Sequence, residues 1–432
     1  VAAGKYYLET YGCALAEYES NLMEDLMGRA GYARVDSPDE ADVIIVNTCA
    51  VRLDTEQRIA DRLREISRSF KGRKLVVAGC LAKARPGLIS RIAPDASLLA
   101  PQVAHKIVEA VAAPGRVVLL DGERDTSVTP MRLARGRIAT IMIQEGCRNK
   151  CAYCITKVSR GWPKSYPPRA IVEMVERSVR QGAVEIRLTG TDTAAYGVDL
   201  PGRPSLADLV GMILDKVEGY YRIRIGMMTP EEAYRILDSL LDVYMDPRVY
   251  KFFHIPVQSG SNRVLRIMGR KYTVEDFKNI HRSVKSRFPD SLFATDIIVG
   301  HPGETEDDFH DTVRLVEEAR FERVHLAQYS IRPHTRAASM PQLSDSVKKA
   351  RSTTLTRLIE RMGSEIYGSY VGRTVEATIV SGSYRENGVT GRLDNYFPVI
   401  IPGATIDVAP IRSRVRIIGS SFFDLRGVML EE

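Results

Sequence analysis

Apolar and polar positions follow two periods along this chain. Near the start, residues 6–9 read as a short strand, and residues 17–30 place Leu22 and Leu26 at helical spacing. Val43-Ile44-Ile45-Val46 is a continuous apolar run within residues 42–47, the pattern of a parallel strand buried on both faces. A charged helix over residues 55–68 and a third strand over residues 74–78 complete a βαβαβ pattern, hence an open parallel sheet. Residues 113–136 hold Pro114-Gly115 and Asp121-Gly122 with little periodicity, and read as a linker with one short strand at 117–120.

The alternation then resumes. Strands are predicted at 138–143, 185–189, 222–226, 251–255, 292–299 and 323–329, with helices at 170–181, 206–217, 231–241, 274–287 and 306–319. Six βα units imply a partial parallel barrel, open on one side, with its chemistry at the strand carboxyl ends. Residues 344–366 read as one long basic helix whose apolar stripe is Leu355, Leu358, Ile359, Met362 and Ile366. Short strands at 374–380, 389–393, 398–401 and 412–418 then form a small all-β unit. The fold class is α/β with three domains and a linker: an N-terminal open-sheet domain (1–112), the linker (113–136), a central partial barrel (137–368) and a C-terminal all-β domain (369–432).

Composition excludes several classes. Among 432 residues, 44% are hydrophobic and 27% charged, an ordinary globular balance. No apolar run reaches the ~20 residues of a membrane span. The chain runs into a strand at once, with no signal or transit pattern, so a cytoplasmic protein is expected. A net charge of +7 permits a nucleic-acid partner without requiring one. Arg412, Arg414 and Arg416 alternate along a predicted strand, so three guanidinium groups share a face suited to phosphate. Tyr396 and Phe397 are candidate stacking surfaces beside it. The alternative is an exposed strand with incidental charge.

Six cysteines are too few for a disulfide scaffold, but their placement is informative. Cys13, Cys49 and Cys80 each follow a predicted strand within a few residues, so the sheet can gather them at one edge. Cys147, Cys151 and Cys154 are bunched just after the first barrel strand. Thiolates are the usual ligands of iron–sulfur clusters. Three of them on a four-iron cluster leave one iron open, where the amino and carboxylate groups of S-adenosylmethionine (SAM) can bind. An electron can then cleave its sulfonium bond to a 5′-deoxyadenosyl radical. The main alternative is structural zinc, which needs a fourth ligand. The nearest histidines in sequence, His105 and His254, are far off.

Cys147-x-x-x-Cys151-x-Tyr153-Cys154 resembles the radical SAM signature, and the whole chain resembles the radical SAM methylthiotransferases. Asp42-Val-Ile-Ile-Val-Asn-Thr-Cys49, Ser159-Arg160-Gly161, His254-Ile-Pro-Val-Gln-Ser-Gly-Ser261 and Thr295-Asp-Ile-Ile-Val-Gly-His-Pro-Gly-Glu304 resemble further motifs of that family. The resemblance implies two [4Fe–4S] clusters, one on Cys147, Cys151 and Cys154 and a second on Cys13, Cys49 and Cys80. It implies a C-terminal TRAM domain, SAM as both methyl donor and radical source, an external electron donor and a sulfur donor. It also suggests SAM contacts at Tyr153, Gly190, Asp192 and Asp296. The chain has Thr191 and Thr229 where family members often show Gln and Asn.

Members of this family act on adenosine 37 of tRNA, carrying an isopentenyl or a threonylcarbamoyl group, or on a ribosomal-protein aspartate. Cys154-Ile-Thr-Lys-Val-Ser-Arg-Gly161 and Leu188-Thr-Gly-Thr-Asp-Thr-Ala-Ala-Tyr-Gly197 resemble most the threonylcarbamoyl branch of archaeal and eukaryotic type. That implies methylthiolation at C2 of N6-threonylcarbamoyladenosine 37 in the anticodon loop, with Arg412, Arg414 and Arg416 as RNA contacts. A reading from another class is an RNA-binding protein with a structural metal and no catalysis.

Overall fold

The apolar run at residues 43–46 forms strand Val43–Thr48, buried at every position. Its side chains alternate between two cores. Ile44 and Val46 pack with Ile59, Leu63, Ile66 and Ile89 of helices Leu53–Ser69 and Pro86–Ile92. Val43 and Ile45 pack with Leu22, Met27 and Ile107 of helices Ala14–Arg29 and Ile107–Ala112. Helices therefore cover both faces, as a parallel sheet requires. In this computed structural model, which describes residues 4–383 and 387–430, the sheet has six strands. Their order is Tyr32–Arg34, Gly4–Thr10, Val43–Thr48, Lys74–Gly79, Ser97–Leu99 and Val118–Leu119, all parallel. The expected linker thus supplies an edge strand to this sheet, and Ala134–Arg135 pairs antiparallel with the first barrel strand.

The six expected barrel strands are all present. Ile138–Glu145, Glu185–Gly190 and Arg222–Ile225 pair in parallel. So do Phe252–His254, Leu292–Val299 and Arg323–Gln328. A parallel bridge from Ile223 to Val249 joins the two halves. Three surrounding helices, Leu206–Lys216, Val274–Arg287 and Glu306–Ala319, start with reciprocal capping boxes, at Ser205/Asp208, Thr273/Asp276 and Thr305/Asp308. Ile186, Ile223, Ile225, Phe293 and Ile297 pack outward on the helices. By strand alternation, Arg224, Phe252, His254 and Asp296 line the lumen.

The C-terminal unit is a closed five-stranded barrel, ordered Thr374–Gly382, Gly388–Arg392, Pro398–Pro402, Leu425–Met429 and Arg412–Ser420. Its core continues into the large barrel through Tyr250, Phe252, Leu292 and Ala294. This corrects the expectation that Tyr396 and Phe397 offer stacking surfaces. The Tyr396 ring lies 5.0 Å from Tyr250 and 4.9 Å from Phe252, and its hydroxyl donates to Glu185 at 2.8 Å. Phe397 stacks on Tyr367 at 4.3 Å. These aromatics plug the amino-terminal mouth of the barrel, so both are buried.

The long helix Asp345–Gly368 is capped by Ser344 and buries Leu355, Leu358 and Met362. Part of its charge turns inward. Arg351 turns in to Glu304 at 2.6 Å and Glu306 at 3.0 Å, and Lys348 is buried against the Gly300 turn. Lys349, Arg357 and Arg361 stay exposed. Among the described residues, no helix is long and apolar enough to cross a membrane.

Candidate active site

Strand Ile138–Glu145 ends at Gly146, and the cysteine loop begins there. Gly146 has φ +77° and no room for a side chain, because a Cβ would sit 2.0 Å from the Trp162 carbonyl oxygen. The loop is pinned on several sides. Ala152 donates to Met268 O at 2.8 Å and accepts from Ala337 at 2.8 Å. Lys157 Nζ donates to Cys147 O at 2.5 Å, and Cys147 N to Gly161 O at 3.2 Å. The Thr191 hydroxyl accepts from Gly146 N at 3.1 Å. Burial pushes the Cys147 thiol up to about 12, and Asp192, Cys151 and Cys154 act on it as neighbouring charges. Cys151 also accepts from Arg270 Nη1 at 3.2 Å.

The N-terminal cysteines gather as the strand ends require. Cys13 caps helix Ala14–Arg29, Cys49 follows strand Val43–Thr48, and Cys80 opens helix Cys80–Ala84 after strand Lys74–Gly79. Gly79 makes this possible: at φ +94°, a Cβ would lie 2.4 Å from Asn47 Oδ1 and 2.5 Å from Thr48 O. Burial pushes the Cys80 thiol up to about 12, with Arg160 opposing and Glu19, Cys13 and Cys49 adding to it. Helix Cys80–Ala84 packs on helix Thr156–Arg160, which directly follows Cys154. Ser159 Oγ donates to Cys80 O at 3.3 Å. The two triplets thus flank one contact between domains.

Four buried charges lock that contact. Glu19, Arg124, Glu145 and Arg160 each have side chains 1% exposed. Glu19 accepts from Arg124 at 2.7 Å and from Arg160 at 2.7 and 3.1 Å. Glu145 accepts from Arg124 at 2.6 and 3.0 Å and from Arg160 at 3.0 Å. Two positive and two negative groups cancel, which is the condition for burying charge at tolerable cost. A second tie joins Arg332, beyond the last barrel strand, to Glu56 at 2.7 Å.

The other candidate cofactor contacts lie around the same strand ends. Gly190 ends its strand against Gln144, whose Oε1 would be 3.0 Å from an added Cβ. Asp192 is fully buried, and Thr229 occupies both its oxygens, N to Oδ1 at 2.9 Å and Oγ1 to Oδ2 at 2.6 Å. Burial raises Asp192 to about 6, partly offset by those bonds. Thr191 and Thr229, the two departures noted above, therefore both act as loop staples. Tyr153 meets His301 edge-on at 6.1 Å. Asp296 Oδ1 accepts from His254 Nε2 at 2.7 Å and His325 Nδ1 at 2.9 Å. Arg412, Arg414 and Arg416 do share an exposed strand face, with Glu376 paired to Arg412.

Sequence reasoning missed Arg270, Arg224, His325 and three of the buried quartet, Glu19, Arg124 and Glu145; Arg160 it placed in a motif without its partners. Arg270 follows a helix with no motif to mark it. The quartet and the lumen residues come from segments distant in sequence, and only the fold brings them together.

The donor chemistry fits iron–sulfur ligation. Each triplet is all thiol, partly screened from water, and fixed by backbone bonds. Among the described residues, only His254, Asp296 and His325 hold three ligand atoms all within 4.8 Å of one another. Neither cysteine triplet is drawn so tightly, whereas a tetrahedral zinc with Zn–S bonds of about 2.3 Å would hold sulfurs about 3.8 Å apart.

Comparison with known proteins agrees with this arrangement. Residues 141–316 match the Radical SAM superfamily, and residues 5–100 match the Uncharacterized protein family UPF0004. A relative from Pyrococcus horikoshii, named a probable threonylcarbamoyladenosine tRNA methylthiotransferase, is 38% identical over 92% of this chain and 93% of its own. A tRNA-2-methylthio-N(6)-dimethylallyladenosine synthase from Chloroflexus aurantiacus is 36% identical over 87% of this chain and 81% of its own. Among solved structures, the radical S-adenosylmethionine methyltransferase TsrM from Kitasatospora setae shares the fold, with TM-score 0.55 and 13% identity over 77% of this chain and 74% of its own. With the cysteine loop on the barrel and the gathered cysteines beside it, the chain belongs to the radical SAM methylthiotransferases.

Proposed function

We propose that this enzyme replaces the C2 hydrogen of N6-threonylcarbamoyladenosine 37 in the tRNA anticodon loop with a methylthio group. Relatives of similar identity carry names for both the threonylcarbamoyl and the dimethylallyl substrate, so the lumen must choose between them. The observation that carries the choice is Arg224. Its guanidinium lies 4.7 Å over the Phe252 ring, and no carboxylate ion-pairs with it among the described residues. Burial pulls its pKa down, with Arg187 adding to that and the Glu185 carboxylate opposing it from beyond ion-pair distance. The threonyl group carries a carboxylate, which would answer this charge. An isopentenyl group would leave it with no direct carboxylate partner. His325, with Nδ1 bound to Asp296 and half its side chain exposed, offers its other nitrogen to the threonyl hydroxyl or carboxylate.

Membership implies a [4Fe–4S] cluster and SAM. In this reading Cys147, Cys151 and Cys154 hold that cluster, with Tyr153, Gly190, Asp192 and Asp296 about the SAM. Cys13, Cys49 and Cys80 hold a second cluster, which carries the sulfur to be inserted. When bound, these groups supply the radical that removes hydrogen and the sulfur that replaces it. The chain's own residues do the rest. Arg270 steadies Cys151, the buried quartet fixes one triplet against the other, and the plugged barrel mouth excludes water from that end. Arg412, Arg414 and Arg416 form an RNA-contact face on the TRAM domain. The reading includes domain limits of 1–112, with edge strand Val118–Leu119 added to it from the linker, 137–368 and 369–432, a cytoplasmic location, an external electron donor and a sulfur donor.

The test is anaerobic incubation of reconstituted enzyme with tRNAs bearing each modification, followed by nucleoside mass spectrometry. The threonylcarbamoyl nucleoside should gain the methylthio group. A gain confined to the isopentenyl nucleoside would overturn the assignment.

A further inference from the structure

Trp162 is the only tryptophan in the chain, and it is 61% exposed. Its backbone is not free to wander, since its carbonyl abuts Gly146 immediately before Cys147. The indole therefore rides on the cysteine loop, at the rim of the barrel. Two ammonium groups flank it. Lys157 Nζ lies 3.6 Å from the ring centroid and Lys150 Nζ 5.6 Å. The ring also walls a groove of about 510 Å³, shared with Arg148, Arg203, Arg235, Asp199 and Glu232.

The charges of that groove do not cancel. Glu232 is taken by Arg148 at 3.2 Å and Arg235 at 3.4 Å, and Asp199 accepts from Ser165 N at 2.9 Å. Lys150 and Arg203 are exposed and make no ion pair among the described residues. An exposed indole framed by surplus cations is the surface that single-stranded nucleic acid fits. Aromatic rings stack on bases, and the cations take phosphates. An adenosine that enters the barrel must leave its own stack, so its neighbour loses a partner at that point.

We propose that Trp162 is a stacking platform for a nucleobase adjoining the modified adenosine, with Lys150 and Arg203 on the flanking phosphates. This rests on the tRNA reading above and extends it to a residue that no motif of the chain singled out.

The lone tryptophan is its own reporter. Titrating the anaerobic holoenzyme with an anticodon stem-loop RNA should quench Trp162 fluorescence along the same curve as binding measured by filter retention. Trp162→Ala should weaken that binding by about ten- to a hundredfold and raise KM for the stem-loop. Trp162→Phe, which keeps an aromatic face, should recover most of the loss. Lys150→Gln with Arg203→Gln should flatten the salt dependence of binding. Binding without quenching, or unweakened by Trp162→Ala, overturns the stacking site and leaves the function reading standing. A wild-type holoenzyme that neither binds nor modifies the stem-loop overturns both.

Discussion

Glu145→Gln is the most informative single change in the interface between the two cysteine triplets. Glu145 accepts three of the six hydrogen bonds that tie the buried quartet together. Glutamine keeps the volume, but its amide group points a donor at two guanidinium groups that only donate. It also leaves a net buried positive charge, because Glu19 alone faces Arg124 and Arg160. Removing one partner from a buried ion pair costs about 3–5 kcal/mol. The expected loss falls on local opening, since the quartet joins helix Ala14–Arg29, the residue 124 segment and helix Thr156–Arg160. Each 1.4 kcal/mol is tenfold, so amide exchange in those three segments should quicken by about a hundred- to several-thousandfold. Hydrogen exchange read by mass spectrometry is the assay. Glu145→Gln combined with Arg160→Gln restores neutrality, and should cost less than the two single changes added together. Exchange within threefold of wild type in all three segments of Glu145→Gln would refute the reasoning. So would strict additivity in the double variant.

Acid should loosen the same contact. Against the upward push of burial, Arg124 and then Arg160 hold the Glu145 carboxyl below the usual carboxylate range. Its stabilisation is therefore complete above about pH 4.3, the ordinary glutamate value, and fades as pH falls towards the lower folded value; exchange in the interface segments against pH will show this. Cys147→Ala should abolish SAM cleavage, whereas Cys13→Ala should keep 5′-deoxyadenosine release and lose methylthio insertion, both read by chromatography. Arg270→Gln removes the cationic donor at 3.2 Å from Cys151, and should speed iron loss to a chelator severalfold. Arg224→Met should raise KM for threonylcarbamoyl tRNA by about tenfold or more, the scale of a lost charge-assisted hydrogen bond, measured by product formation against tRNA concentration.

Much of this architecture was legible because local pattern and global fold agree. The run at residues 43–46 could only be a doubly covered strand, and the cysteine after each N-terminal strand followed from parallel topology. Strands Tyr32–Arg34 and Ser97–Leu99 escape the sequence because three residues give too little alternation, and Leu425–Met429 because Arg426-Gly427 breaks its apolar pattern. Tyr396 and Phe397 were misjudged because their burial comes from another domain, and turn-like sequence beside them suggests the surface. Arg124 sits in a stretch with loop composition, yet it is buried by partners 105 and 21 residues away. Arg351 and Lys348 illustrate the same limit on a helix: a basic residue reads as solvated until Glu304 or a glycine turn is found opposite.

Metal content tests the central claim most directly. Anaerobically reconstituted protein should bind about eight iron and eight acid-labile sulfide per chain, as two four-iron clusters require. Cys80→Ala and Cys154→Ala should each fall to about half. A wild-type chain that binds four iron or fewer, or takes up zinc in preference, would contradict the account.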